Sequence, residues 1–178
     1  PASFARGLSM TGPEPQLIPL RFQWAPGNQQ ITITPLRYLR LGEQYTINLQ
    51  GLEAADGGVM ETLQRSFDTI PSPAVVYAGP PNGDLSAGDP VFALRFASPM
   101  SQKSFGNRIT FSPPLPDSRY YYDEYENTLY YYGLQPSTRY EVRVQPGMFD
   151  IHGNAINTPT TVSFSTAPLE SSAYLDMP

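Results

Sequence analysis

The densest run of side chains able to recognise a ligand is Tyr120-Tyr121-Tyr122-Asp123-Glu124-Tyr125-Glu126-Asn127-Thr128-Leu129-Tyr130-Tyr131-Tyr132, two aromatic segments around an acidic turn. In extended chain, successive side chains point to opposite faces, so both faces of such a hairpin carry tyrosine. One set can enter a core. The other stays at the surface, where a phenol offers flat contact area and a hydroxyl. Tyr120, Tyr121, Tyr122, Tyr125, Tyr130 and Tyr132 are therefore candidate binding residues for a protein or a carbohydrate; alternation alone does not say which face is exposed. A plainer account is that tyrosine pairs stabilise the hairpin across strands, each contributing about 0.2–1 kcal/mol.

The other chemical candidates are sparser. Asp150 and Asn154, with Asp84 as a third oxygen donor, have the hard-ligand chemistry of a calcium site, although Asp150-Ile151-His152-Gly153-Asn154 is equally explained as turn chemistry. The single histidine, His152, lies in that turn without a nucleophile elbow near it, so no catalytic triad is expected. Asp123, Glu124 and Glu126 sit in an exposed turn, where a carboxylate keeps its charge and does not become a general acid. No glycine-rich phosphate loop is present, since Gly57-Gly58 precedes no helical pattern. With no cysteine there are no disulfides, thiolate nucleophiles or cysteine-ligated metals. Eleven basic against sixteen acidic residues give a net charge of -5, which argues against nucleic acid as a partner. No enzyme activity, cofactor or membrane insertion is expected.

The elements that hold these residues read as strands. Twenty prolines and fourteen glycines punctuate the chain, and no window keeps helical apolar spacing over three turns. The organising segment is Leu134-Gln135-Pro136-Ser137-Thr138-Arg139-Tyr140-Glu141-Val142-Arg143-Val144. It has an upstream copy, Leu39-Arg40-Leu41-Gly42-Glu43-Gln44-Tyr45-Thr46-Ile47-Asn48-Leu49. Each reads as a corner, bent at Pro136 or Gly42, in which a tyrosine buries its ring and bonds nearby backbone through its hydroxyl. Beyond the corner, Tyr140, Val142 and Val144 alternate with Glu141 and Arg143, giving one dry and one wet face.

The copy divides the chain into residues 1–70 and 71–167 around the stiff junction Ile70-Pro71-Ser72-Pro73, with 168–178 as a linker or the start of another domain. Aligning the copies puts Ser3-Phe4 on Ser104-Phe105, Ile31 on Leu129, and Phe67-Asp68-Thr69 on Phe164-Ser165-Thr166. The first unit has no counterpart of the roughly thirty residues that open the second. It is expected to lack two strands and to expose an edge prone to pairing, for example in a strand-complemented dimer. The opening Pro1-Ala2-Ser3-Phe4 reads as mid-domain, as in a fragment of a longer protein. Trp24 is expected in the first unit's core, unless loss of the opening strands exposes it.

Phe96-Ala97-Ser98-Pro99-Met100, the corner Leu134–Tyr140, the Asp150–Asn154 loop and Phe164-Ser165-Thr166, in that order and spacing, resemble bacterial Ig-like domains. The corner is also similar to that of fibronectin type III modules. The resemblance covers nearly all of residues 72–167 and, truncated, 1–70. It implies two tandem Ig-like Greek-key β-sandwiches, all-β, the first without its two opening strands. By the same resemblance the chain is a non-catalytic spacer, stalk or docking module of a larger bacterial extracytoplasmic protein. Its partners would be neighbouring domains of the same polypeptide or another protein. Such tandem domains also look similar to segments near the front of some bacterial alpha-2-macroglobulin-like protease traps, whose thioester motif needs a cysteine that this chain lacks. A glycan-binding module using the tyrosine hairpin is a further alternative.

Overall fold

The computed structural model describes residues 2–27, 29–53, 57–80 and 90–169; Asp84 and the tail from 170 onward lie outside them. The chain is all-β and divides into two compact units, Pro1–Pro71 and Ser72–Pro178. The division falls within the proline-rich junction.

The second unit contains β6 (Val75–Gly79), β7 (Phe92–Phe96), β8 (Ile109–Ser112), β9 (Arg119–Asp123), β10 (Thr128–Tyr132), β11 (Arg139–Val144) and β12 (Thr160–Ser165). They form one antiparallel sheet of order β6-β7-β10-β9 and a second of order β12-β11-β8. Period-two alternation turns Phe92, Leu94 and Phe96 of β7, Leu129 and Tyr131 of β10, and Tyr140, Val142 and Val144 of β11 into one shared core. Rings cross between the sheets: Phe92 stacks on Phe164 at 5.1 Å and meets Phe111 edge-on at 5.4 Å. Burying each such side chain contributes about 1.5–3 kcal/mol, so this layer holds the two sheets together.

The first unit contains β1 (Leu8–Thr11), β2 (Leu20–Trp24), β3 (Ile31–Pro35), β4 (Gln44–Leu49) and β5 (Leu63–Asp68). Its sheet β1-β4-β5 repeats the pairing of β8, β11 and β12, and its two-stranded sheet β2-β3 repeats β9-β10. Among the described residues nothing in this unit corresponds to β6 and β7. Its core is correspondingly smaller: three fully buried residues, Met10, Ile18 and Tyr45, cluster here against fifteen in the second unit.

Two local features depart from the strand-only reading. Residues Ala2–Gly7 form a short α-helix, and 3-10 turns occupy Gln102–Ser104 and Gly106–Arg108 at the equivalent place in the second unit. A helix of six residues is too short to register as an apolar period, which needs about three turns to be read. The bend of the second corner also moves by one residue. Gly42 (φ 72°) and Ser137 (φ 50°) hold the left-handed conformation, so Ser137, not Pro136, is the structural equivalent of Gly42.

Candidate functional site

The hairpin β9-β10 sorts its tyrosines by face. Tyr122 lies opposite Leu129 and is only 6% exposed; its ring meets Phe105 edge-on at 5.3 Å and its hydroxyl accepts a hydrogen bond from Met100 N at 2.8 Å. Burial raises the pKa of this phenol, partly offset by the Met100 N–H. Tyr122 is therefore a core residue and leaves the set of candidate binding tyrosines, because alternation places it on the same face as Leu129. Tyr131, absent from that set, is also buried, and burial pushes its hydroxyl well up. Tyr120 sits at the sandwich margin with its ring 5.8 Å from that of Tyr131.

The outer face carries Tyr121 opposite Tyr130. Tyr121 is 57% exposed and Tyr125, at the turn, is fully exposed, while Tyr130 and Tyr132 are half-buried. Tyr130 donates its hydroxyl proton to Glu126 Oε2 at 2.7 Å; that bond, with burial and the Glu126 charge, pushes its pKa up to about 12. The acidic turn has an internal reason for its composition. Asp123 Oδ1 accepts from Tyr125 N at 2.8 Å and Glu126 N at 3.1 Å, and Asn127 takes a left-handed conformation at φ 51°. On the same sheet Arg95 lies over the Tyr77 ring at 5.9 Å. The outcome is a partly aromatic face with one anchored phenol, suited to contact.

Asp150 is almost fully buried. Its Oδ1 accepts from His152 N at 2.9 Å and Asn154 N at 2.8 Å, and its Oδ2 accepts from Asn154 Nδ2 at 2.8 Å. Burial pushes the carboxyl up, but these donors outweigh it and the net displacement is downward. Both oxygens are thus directed at N–H groups, and Asn154 presents its amide nitrogen where a calcium ligand would present oxygen. Asp150 and Asn154 brace the loop internally, while its backbone joins the segment after β7: Ile151 N donates to Pro99 O at 3.0 Å, and Met100 and Asp150 form an antiparallel bridge. Among the described residues, no group of three or more His, Asp and Glu side chains is placed to hold a metal ion. His152 is exposed, and its recorded bond runs through its backbone.

A second region was not singled out by residue chemistry. In the first unit, Trp24 is half-buried and meets Phe4 edge-on at 5.2 Å, as Tyr122 meets Phe105. Its Nε1 is buried without a hydrogen-bond partner. Phe67 stacks on Tyr45 at 5.9 Å, as Phe164 stacks on Tyr140 at 5.6 Å, yet Phe67 remains 39% exposed. The signal for these residues was present in the aligned copies; composition and motif carry none of it. A separate polar cluster joins Glu14 to Arg37 at 2.9 Å and to Arg40 at 2.5 Å beside the corner. The hydrogen bond from Arg37 and the charge of Arg40 hold the Glu14 carboxyl below the usual range.

No protein-family model matches the chain, and no curated protein matches it.

Proposed function

We propose that this chain is a tandem of Ig-like modules serving as a non-catalytic structural and interaction element of a larger bacterial extracytoplasmic protein. The observation that carries the reading is the strand order of the second unit: four strands β6-β7-β10-β9 against three, β12-β11-β8, around one aromatic core. The bacterial and extracytoplasmic setting rests on the resemblance given above. A load-bearing role is supported by the placement of the end strands: β6 and β12 belong to different sheets and each is hydrogen-bonded to one neighbour, so tension on the unit's two ends acts on the β6-β7 and β12-β11 ladders. Stretching single chains between handles tests this. A load-bearing module extends in one all-or-none event for the second unit, whereas gradual lengthening at low force would rule the role out.

A second reading is favoured by the outer tyrosine face: contact with a glycan or protein through Tyr121 and Tyr125. Replacing these two by Ala should abolish retention on a glycan array while leaving the unfolding transition in place. Absence of retention by the parent chain ends the glycan form of this reading.

A further inference from the structure

The outer face of the sheet β6-β7-β10-β9 is laid out in rows that strand pairing fixes. Outward side chains opposite one another give Tyr77, Arg95, Thr128 and Asp123 in one row and Gly79, Ala93, Tyr130 and Tyr121 in the next; in a third, Arg119 lies opposite Tyr132. The middle of this face is already dry. Ala93 and Thr128 are each 4% exposed although alternation turns both away from the core, and a Cβ on Gly79 would come within 3.2 Å of the Tyr77 hydroxyl, so that ring lies low over β6. At the end strand β9 the pattern changes. Tyr121 is 57% exposed and stands between Arg119 and Asp123. Each of these is two residues away on the same face, at about 7 Å along the strand.

The polar groups around this ring are held in place beforehand, which lowers the cost of ordering them on a ligand. Tyr130, beside Tyr121, is fixed through its hydroxyl to Glu126 Oε2. Asp123 commits Oδ1 to the turn, while Oδ2 makes no hydrogen bond among the described residues. Arg95 rests over the Tyr77 ring. Neither Arg95 nor Arg119 forms an ion pair among the described residues.

Charge and area select the ligand. Arg95 and Arg119 are balanced on this face by Asp123 and Glu126, so an ionic ligand meets repulsion as well as attraction. A hydroxyl both donates and accepts, and so pairs with a guanidinium and a carboxylate alike. The four strands are each five residues long. With strands about 4.8 Å apart and a rise of about 3.4 Å per residue, the face projects roughly 300 Å², whereas a stable protein contact takes about 800 Å² from each partner. That area suits an oligosaccharide.

We propose that this face binds a neutral glycan: a pyranose with equatorial hydroxyls lays its C–H face on Tyr121, while adjacent hydroxyls accept from Arg119 and donate to Asp123. Tyr130 supports the Tyr121 ring, and Arg95, two strands away, meets a further sugar of the chain. The proposal rests on the glycan form of the second reading above and names its ligand class.

The probe is the β-1,4-linked tetrasaccharide of glucose, titrated into the 178-residue protein and followed through the tyrosine ring-proton resonances. The expected result is a saturable shift of the Tyr121 and Tyr130 signals that added salt leaves unchanged. Tyr121→Ala should weaken binding about tenfold, and Tyr121→Phe should keep it, since the ring face makes the stack. Arg119→Ala should weaken it several-fold, with the unfolding transition in place for all three variants. Tighter, salt-sensitive binding of a galacturonate tetrasaccharide would overturn the neutral class and leave the glycan reading standing. Retention of some other glycan on the array, without binding of the glucose tetrasaccharide, would do the same. An empty array would remove both together. Binding that survives Tyr121→Ala would overturn the site, and shifts that follow protein concentration instead of sugar would make a second copy the occupant.

Discussion

Tyr45 and Tyr140 lie in different units, yet each hydroxyl accepts a hydrogen bond at 2.8 Å from the backbone N–H five residues upstream, Arg40 N in one case and Gln135 N in the other. The surrounding bonds are repeated as well. Thr69 Oγ1 accepts from Glu43 N at 3.0 Å and donates to Arg40 O at 2.7 Å; Thr166 Oγ1 accepts from Thr138 N at 2.9 Å and donates to Gln135 O at 2.5 Å. Each corner is locked to its last strand by one threonine and one tyrosine.

Removing either hydroxyl leaves the N–H of a part-buried hydrogen bond without its acceptor. Tyr140→Phe should cost the second unit about 1–3 kcal/mol, and Tyr45→Phe a similar amount in the first. Denaturant unfolding followed by Trp24 emission for the first unit and by near-ultraviolet tyrosine circular dichroism for the second separates the two effects.

The left-handed residue of each corner gives a paired test. Gly42 holds φ 72° without a Cβ penalty, whereas Ser137 holds φ 50° with one. Gly42→Ser should destabilise the first unit by about 1–2 kcal/mol. Ser137→Gly should stabilise the second by less than that, because added freedom in the unfolded chain offsets part of the relief. Thermal unfolding of both variants checks the opposite signs.

Asp150 supplies an acid-side dependence. Its carboxyl is held below the ordinary 3.8, so its contribution is present above that pH and is lost as pH falls through the lower folded value. Asp150→Asn should weaken the second unit by about 1–3 kcal/mol at neutral pH and flatten the acid limb of its stability curve. An unaltered acid limb in the variant would assign the dependence elsewhere.

Tyr130 supplies the alkaline counterpart. With its pKa raised from 10.0 to about 12, the neutral phenol favours the folded state fully below pH 10, and that contribution is lost as pH rises towards 12. Glu126→Gln should bring the phenol back towards its ordinary value. Ultraviolet titration of the phenolates, compared between parent and variant, measures the displacement.

The unequal cores set an order of unfolding. The first unit, with a smaller buried cluster and an exposed Phe67, should unfold at lower denaturant than the second. Trp24 emission should therefore change before tyrosine circular dichroism does.

By itself the sequence determined the class of fold, the strands and the duplicated corner, because these depend on local quantities. Period-two alternation places Tyr140, Val142 and Val144 inward, prolines and glycines mark the turns, and a repeat reveals itself by alignment. That alignment also leaves the first unit without counterparts to β6 and β7, and none occurs among its described residues. Only the tertiary structure decided which tyrosines of the hairpin are buried, since both of its faces read alike and the choice depends on which sheet packs against which. It also decided that Asp150 bonds N–H groups of its own loop, that a threonine locks each corner, that Trp24 Nε1 is buried and that Phe67 is partly exposed. Each of these depends on atoms brought together from distant strands, and neither composition nor period encodes that proximity.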